Sequence, residues 1–192
     1  AFLNNGDGRY TSGAFTRRAW PATSGFGAEV EISTPLTETH WQRAQFSLAG
    51  GLDSSMSAEV MERGGADNAT LLASSCEMEI PATEGIAAMS EMSLVYSSIV
   101  VRRPAPSRAD GHWVRWRIQV FPDGTCGMAV DGVPIFHTPL GIPLDRPVGI
   151  LLTGSSAKTR ILHGGITAWT GVKDDIDWGV LQNTTEGGTS RT

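Results

Sequence analysis

Two sets of residues in this 192-residue chain have the types and spacing that chemistry needs. The first is Trp113, Arg115, Arg117 and Phe121, alternating with Val114, Trp116, Ile118 and Val120. A period of two places the first four on one side of a strand and the apolar four on the other. Guanidinium groups engage carboxylates, phosphates or sugar hydroxyls, and flanking aromatic rings add planar apolar contact, so this stripe reads as the primary binding surface. The second set is Glu77 and Glu79 in CEMEIPATEG. Paired carboxylates serve glycoside cleavage when they are opposed at a controlled separation, which makes these two the catalytic alternative.

Tyr10, Arg17, Arg18 and Trp20, in YTSGAFTRRAW, form a secondary candidate surface on what reads as an edge strand and its loop. Other chemistries find little support. The histidines at 40, 112, 137 and 163 are dispersed, with no HExxH pair and no serine in a GxSxG context. His112, at the entrance to a hairpin, reads as a structural hydrogen-bonding residue. Neither GGADNAT nor GSSAKT has the spacing of a phosphate-binding loop. Cys76 and Cys126 are the only cysteines, and each falls on the apolar parity of its segment. Free cysteine is often buried and the chain is long enough to fold without a staple, so two buried thiols are favoured and a Cys76–Cys126 disulfide is the alternative.

The elements that must position these residues are strands. HWVRWRIQVFPDGTCGMAVDGVPIF, residues 112–136, gives a strand, a Pro-Asp-Gly turn, a returning strand with Cys126, Met128 and Val130 on one face, and an Asp-Gly turn. GFGAEVEI puts Phe26, Ala28, Val30 and Ile32 inward and Glu29 and Glu31 on a solvated face. Further strands are expected over Trp41–Leu48, Leu71–Ile80, Met89–Val101 and Val148–Thr153, and in GGITAW. Met56–Met61 is ambiguous between helix and strand, and RRPAPSRADG reads as an exposed basic loop. Seven or more short strands with turn signals and few helices indicate an all-β sandwich. One domain over 1–171 is expected, lacking its first native strand, followed by an acidic, polar tail or edge-covering segment over 172–192.

Composition bounds the partners. Twenty acidic against fifteen basic residues give a formal charge of −5, which offers no general attraction for nucleic acid. No apolar run reaches the roughly 20 residues that span a bilayer, so direct membrane insertion by this segment is not expected.

The residue 112–136 hairpin, with its strand ending at Phe121, its PDGT turn and its VDG end, resembles the late antiparallel hairpin of concanavalin-A-like lectin, glucanase and laminin-G-like domains. GFGAEVEI and RILHGGITAW fit the same comparison, and the resemblance covers roughly residues 1–171. It implies a two-layer antiparallel jelly-roll sandwich that binds sugars or protein partners. In the catalytic branch it implies an ExDxxE-type carboxylate set. Only Glu77 and Glu79 match its first two positions; Ala82 stands where the last acid belongs, and Glu84 is displaced by two places. Calcium is a further implication, for which Asp123, Asp131, Asp174, Asp175 and Asp177 are the available acids, but no spacing among them completes a calcium motif that needs 6 to 8 oxygens. No cofactor or metal site is assigned.

The leading expectation is a noncatalytic recognition or scaffolding domain that docks a protein partner or larger assembly, held at a membrane only through its partners. The alternatives are an extracellular glycan-binding module, a glycoside hydrolase or lyase using Glu77 and Glu79, and the ligand-sensing domain of a larger receptor. The expected location is periplasmic, cell-surface or extracellular.

Overall fold

Alternating apolar and polar residues have one stable use in a long strand, which is to bury one face against a second layer. A computed structural model describes residues 2–4, 10–16, 19–33, 42–50, 75–83, 91–96, 99–104, 113–138, 147–156 and 162–179. Among them are twelve strands: β1 (Phe2–Asn4), β2 (Tyr10–Phe15), β3 (Phe26–Ser33), β4 (Gln42–Gly50), β5 (Ser75–Thr83), β6 (Glu91–Tyr96), β7 (Ile99–Pro104), β8 (Trp113–Val120), β9 (Cys126–Val130), β10 (Val133–His137), β11 (Val148–Ser156) and β12 (Leu162–Thr170). They form a seven-stranded sheet, β1-β2-β11-β4-β5-β6-β7, and a five-stranded sheet, β10-β9-β8-β3-β12. All pairings are antiparallel.

Register carries the apolar pattern across the sheets. Ala28 lies opposite Ile118 and Val30 opposite Trp116, while Ile118 in turn faces Met128. Phe46 pairs with Met78 and with Leu152 in the other sheet. These inward residues form one core between the layers. Trp116, less than 2% exposed, is among the largest of its fully buried side chains. A one-residue slip of β8 would turn that ring out to water and bring Arg115 or Arg117 inside.

The two cysteines correct the sequence expectation. Cys76 of β5 and Cys126 of β9 point inward from opposite sheets, with Cα atoms 6.5 Å apart, and are joined as a disulfide. Inward parity was readable from sequence; that the two strands face each other across the core was not. By loop-closure entropy, a cross-link closing 50 residues stabilises by up to about 4 kcal/mol.

Three other expectations change. The stretch expected as one strand over Met89–Val101 contains two paired strands, β6 and the start of β7, with Tyr96 opposite Ile99. Arg102 and Arg103 belong to β7 rather than to a loop. β5 continues through Pro81 to Thr83, where the register against β4 shifts between Gln42 and Ala44. Proline cannot donate to a ladder, and an irregularity is where a strand tolerates it. The ambiguous stretch Met56–Met61, together with Trp41, His40 and His112, lies outside the described residues.

Tight turns fix the hairpin that carries β8. Gly124, at φ 86°, donates its N–H to the Phe121 carbonyl at 2.9 Å. Asp123 Oδ1 accepts from the Thr125 N–H at 2.9 Å and from its hydroxyl at 2.7 Å. The next turn has Asp131 at φ 50° and Gly132 at φ 80°, the left-handed pair of a two-residue hairpin whose twist matches that of the strands. Asp131 also clamps β8: its N–H donates to the Arg115 carbonyl and its Oδ1 accepts the Arg115 N–H, each at 2.8 Å.

Candidate recognition surface

With the core on one side of β8, residues 113, 115, 117, 119 and 121 line the outer side of the five-stranded sheet. The sequence treats Trp113, Arg115, Arg117 and Phe121 as one exposed stripe. The structure divides it.

Two glycines begin the division. Gly27 and Gly127 stand at outward positions inside β3 and β9. A Cβ on Gly27 would collide with the Trp169 ring, and one on Gly127 would lie 2.5 Å from the Trp178 ring. Each glycine is therefore a floor on which an indole lies flat, the close approach that justifies glycine within a strand. Trp169, on β12, donates its Nε1–H to Gln119 Oε1 at 3.0 Å. The Gln119 Nε2 donates to the Val120 and Gly171 carbonyls, leaving this glutamine 1% exposed.

After β12 the chain turns at Gly171, φ 88°, whose N–H donates to the Gly25 carbonyl at 2.8 Å. It then runs back over the outer face. Lys173 Nζ sits 3.8 Å from the Trp169 ring centroid, Ile176 is 7% exposed, and Trp178 meets the Phe121 ring edge-on at 5.8 Å. Phe121 also packs edge-on against His137 at 5.1 Å.

Arg117 lies beneath this strap. Its Nη2 is 2.7 Å from Glu29 Oε2 and its Nη1 donates to Asp175 Oδ1 at 2.7 Å. The guanidinium carbon also stands 5.3 Å from the Trp169 centroid. Burial acts to lower the Arg117 pKa, but the hydrogen bonds to Asp175 and Glu29 outweigh it and the net direction is up. The Asp175 carboxyl is correspondingly held below its ordinary value, mainly by the Arg117 hydrogen bond. Burial lowers the His137 pKa, with Asp123 acting in the opposite sense.

The other half of the stripe is open. The Arg115 side chain is 53% exposed, and its ion pairs among the described residues are longer, 3.3 Å to Glu29 and 3.4 Å to Glu31. Trp113 is 50% exposed. Its ring borders Gly164, at a register shift between His163 and Ile166 where an added Cβ would crowd both Trp113 and Glu31. Trp113 and Arg115 of β8 and Glu31 of the neighbouring β3 thus form an exposed patch where β8 runs past its ladder with β9 and stays paired with β3.

The remaining sequence candidates scatter. Glu77 is 2% exposed and accepts the Ser47 hydroxyl at 3.0 Å. It shares one strand and one face with the half-buried Glu79, so the two lie side by side rather than opposed across a cleft. Trp20 bridges to Val148 and stacks on Phe26 at 5.3 Å, packing against the core from the loop before β3. Arg17, Arg18, Glu84 and the Tyr10 side chain lie outside the described residues. Among the described residues no three His, Cys, Asp or Glu side chains converge as metal ligands. The aspartates suited to calcium are spent separately: Asp123 on Thr125, Asp131 on Arg115, Asp175 on Arg117 and Asp177 on the Gly179 N–H. No described helix is long and apolar enough to cross a membrane.

Sequence reasoning missed Glu29, Gln119, Asp175, Trp169, Trp178 and the two glycine floors as parts of this surface. The one available signal was glycine at outward positions inside two otherwise well-formed strands.

The sequence matches no family model and no curated protein. Solved structures do resemble the fold. The carbohydrate recognition domain of Emp46p, in a potassium-bound form, superposes with a TM-score of 0.59 at 9% identity, over 85% of this chain and 80% of that one. Lectin II from Ulex europaeus gives 0.54 at 11% identity, over 83% and 82%. The globular domain of T. cruzi calreticulin gives 0.52 at 7% identity, over 85% and 70%. The chain has the concanavalin-A-like jelly-roll sandwich fold.

Proposed function

We propose that the chain is a noncatalytic recognition domain that docks a protein partner or neighbouring domain through Trp113, Arg115 and Glu31. The observation that carries this reading is the open half of the β8 stripe. A half-exposed tryptophan and a half-exposed arginine stand on one face of β8, laddered to β3 over this stretch and tied to the Asp131 turn at Arg115. Tryptophan and arginine are the residue types that dominate binding energy when an interface desolvates them, and a rigid strand presents them at little ordering cost. The cross-sheet disulfide supports an oxidising location such as the periplasm, cell surface or extracellular space.

The same patch favours a second reading, glycan binding. An indole face with a carboxylate and a guanidinium beside it suits a sugar ring and its hydroxyls, and the similar structures include a carbohydrate recognition domain and a lectin. A photo-crosslinking residue in place of Trp113, used alongside a glycan panel, separates the two readings. Protein docking predicts a discrete crosslinked partner and no glycan response; the glycan reading predicts the reverse. Trp113→Ala with Arg115→Ala should abolish whichever binding occurs while leaving melting unchanged. Binding that survives this double substitution places recognition elsewhere.

A further inference from the structure

The covered half of the stripe supports an inference that does not rest on the open patch. The segment that crosses it is fastened by side chains. Among the described residues, the last backbone hydrogen bond tying it to the sheet is from Gly171 to Gly25. Beyond that point Lys173 rests on Trp169, Asp175 binds Arg117, Ile176 is buried and Trp178 lies on Gly127. None of these contacts belongs to a β-ladder, so the segment can leave without unpairing a strand.

What it would leave behind is a shaped surface. Gly127 provides a bare floor, with the edge of Phe121 as a side wall. Arg117, itself 11% exposed, takes one carboxylate from the sheet, Glu29, and a second from the crossing segment, Asp175. Without that second carboxylate its Nη1 would keep a donor aimed out of the sheet beside the ring cradle. The occupant is also an imperfect fit, because the buried Trp178 Nε1–H has no hydrogen-bond partner among the described residues. Leaving a buried donor unsatisfied weakens the docked state. A phenylalanine or tyrosine ring in the same cradle would not bury that N–H.

We propose that the covered half is a peptide-docking site for a partner segment bearing a carboxylate three residues ahead of an aromatic ring, and that residues 172–178 occupy it in cis as a displaceable strap. The site accepts this chemistry because its fixed elements, one guanidinium and one glycine-floored ring cradle, are spaced as Asp175 and Trp178 are spaced. The strap keeps the site closed until a segment of the same pattern, free of the indole penalty, competes for it.

The test uses the full chain and a synthetic peptide of residues 171–179, made also with Trp178→Phe and, as a control, with Asp175→Asn plus Trp178→Ala. The full chain carrying Asp175→Asn and Trp178→Ala has its strap disabled. It should bind the labelled peptide saturably and about tenfold more tightly than the unaltered chain does. The Trp178→Phe peptide should bind at least as well as the unaltered one, and the control peptide should not bind. Adding Gly127→Val to the disabled chain should remove binding by filling the floor. A folded, strap-disabled chain that ignores the peptide overturns the proposal.

Should that variant fail to fold, trypsin cleavage after Lys173 in the unaltered chain gives an independent readout. The cleavage rate should rise with the concentration of a Trp178→Phe peptide whose own Lys173 is replaced by Gln, so that trypsin spares it, and level off. A rate indifferent to the peptide counts against a displaceable strap.

Discussion

Along one strand, Arg117 and Arg115 share the same parity, the same side-chain chemistry and a common acid in Glu29, yet they do different things. Arg117 is packed under Trp169 and held at 2.7 Å by carboxylates on both sides. Arg115, two residues along, is half in water and holds its acids at 3.3–3.4 Å. The lesson is that alternation assigns a residue to a face but leaves open whether the face is covered. Cover is decided by where glycine lets a ring lie flat and by where the chain goes after β12. On that reading Arg117 stabilises the fold and Arg115 remains available to a partner.

The largest effect should strike both halves alike. Removing the Cys76–Cys126 disulfide, by reductant or by paired Cys→Ala substitution, should cost about 2–4 kcal/mol in denaturant unfolding, since it joins the layers beneath the whole face. A midpoint indifferent to reductant would show that the bridge does not form in solution.

The next effect separates the halves. Arg117→Ala leaves Glu29 under cover with only the longer Arg115 contact and should cost about 2–3 kcal/mol. Arg115→Ala removes only exposed contacts and should stay within about 1 kcal/mol. Equal losses in urea unfolding would erase the distinction.

Glycine substitutions draw the same boundary from the backbone side. Gly127→Ala must push the Trp178 ring off its floor and should cost about 1–3 kcal/mol. Gly165→Ala, with nothing within 4 Å of the added carbon, should change the melting free energy by less than about 0.5 kcal/mol.

The smallest effect is a pH dependence. The Asp175 pKa is depressed in the folded chain by Arg117, so its contribution is fully present above the ordinary carboxyl value near 3.8. It is lost as pH falls through the lower folded value. Because Asp175 is half exposed, the change should be slight. Subtracting the acid limb of an Asp175→Asn stability curve from that of the unaltered chain should reveal it below about pH 4; superimposable limbs would mean that the Arg117 contact contributes nothing in solution.

Much of the architecture was legible because it depends on local alternation. The inward set Trp116, Ile118 and Val120, its counterpart Phe26 to Ile32, and the turns at Gly124 and Asp131-Gly132 follow from period and turn chemistry alone. The β6–β7 hairpin was read as one strand because Ser97-Ser98, between two apolar runs, carries no glycine, proline or asparagine signal. The site was less legible because its partners are remote. Arg117 meets Glu29 across 88 residues and Asp175 across 58. The sequence displays acids on one strand and arginines on another but does not state that β3 and β8 are neighbours. The segment after Gly171 loses the period of two because it seats single side chains into floors already built by other strands, which leaves no pattern of its own to read.

The division of the outer face is tested most directly by arginine-selective chemical modification with a dicarbonyl reagent, followed residue by residue by mass spectrometry of the native chain. The account predicts rapid labelling of Arg115 and protection of Arg117, with Arg117 becoming reactive once Asp175→Asn and Trp178→Ala loosen the segment above it. Equal labelling of Arg115 and Arg117 in the unaltered chain would contradict it.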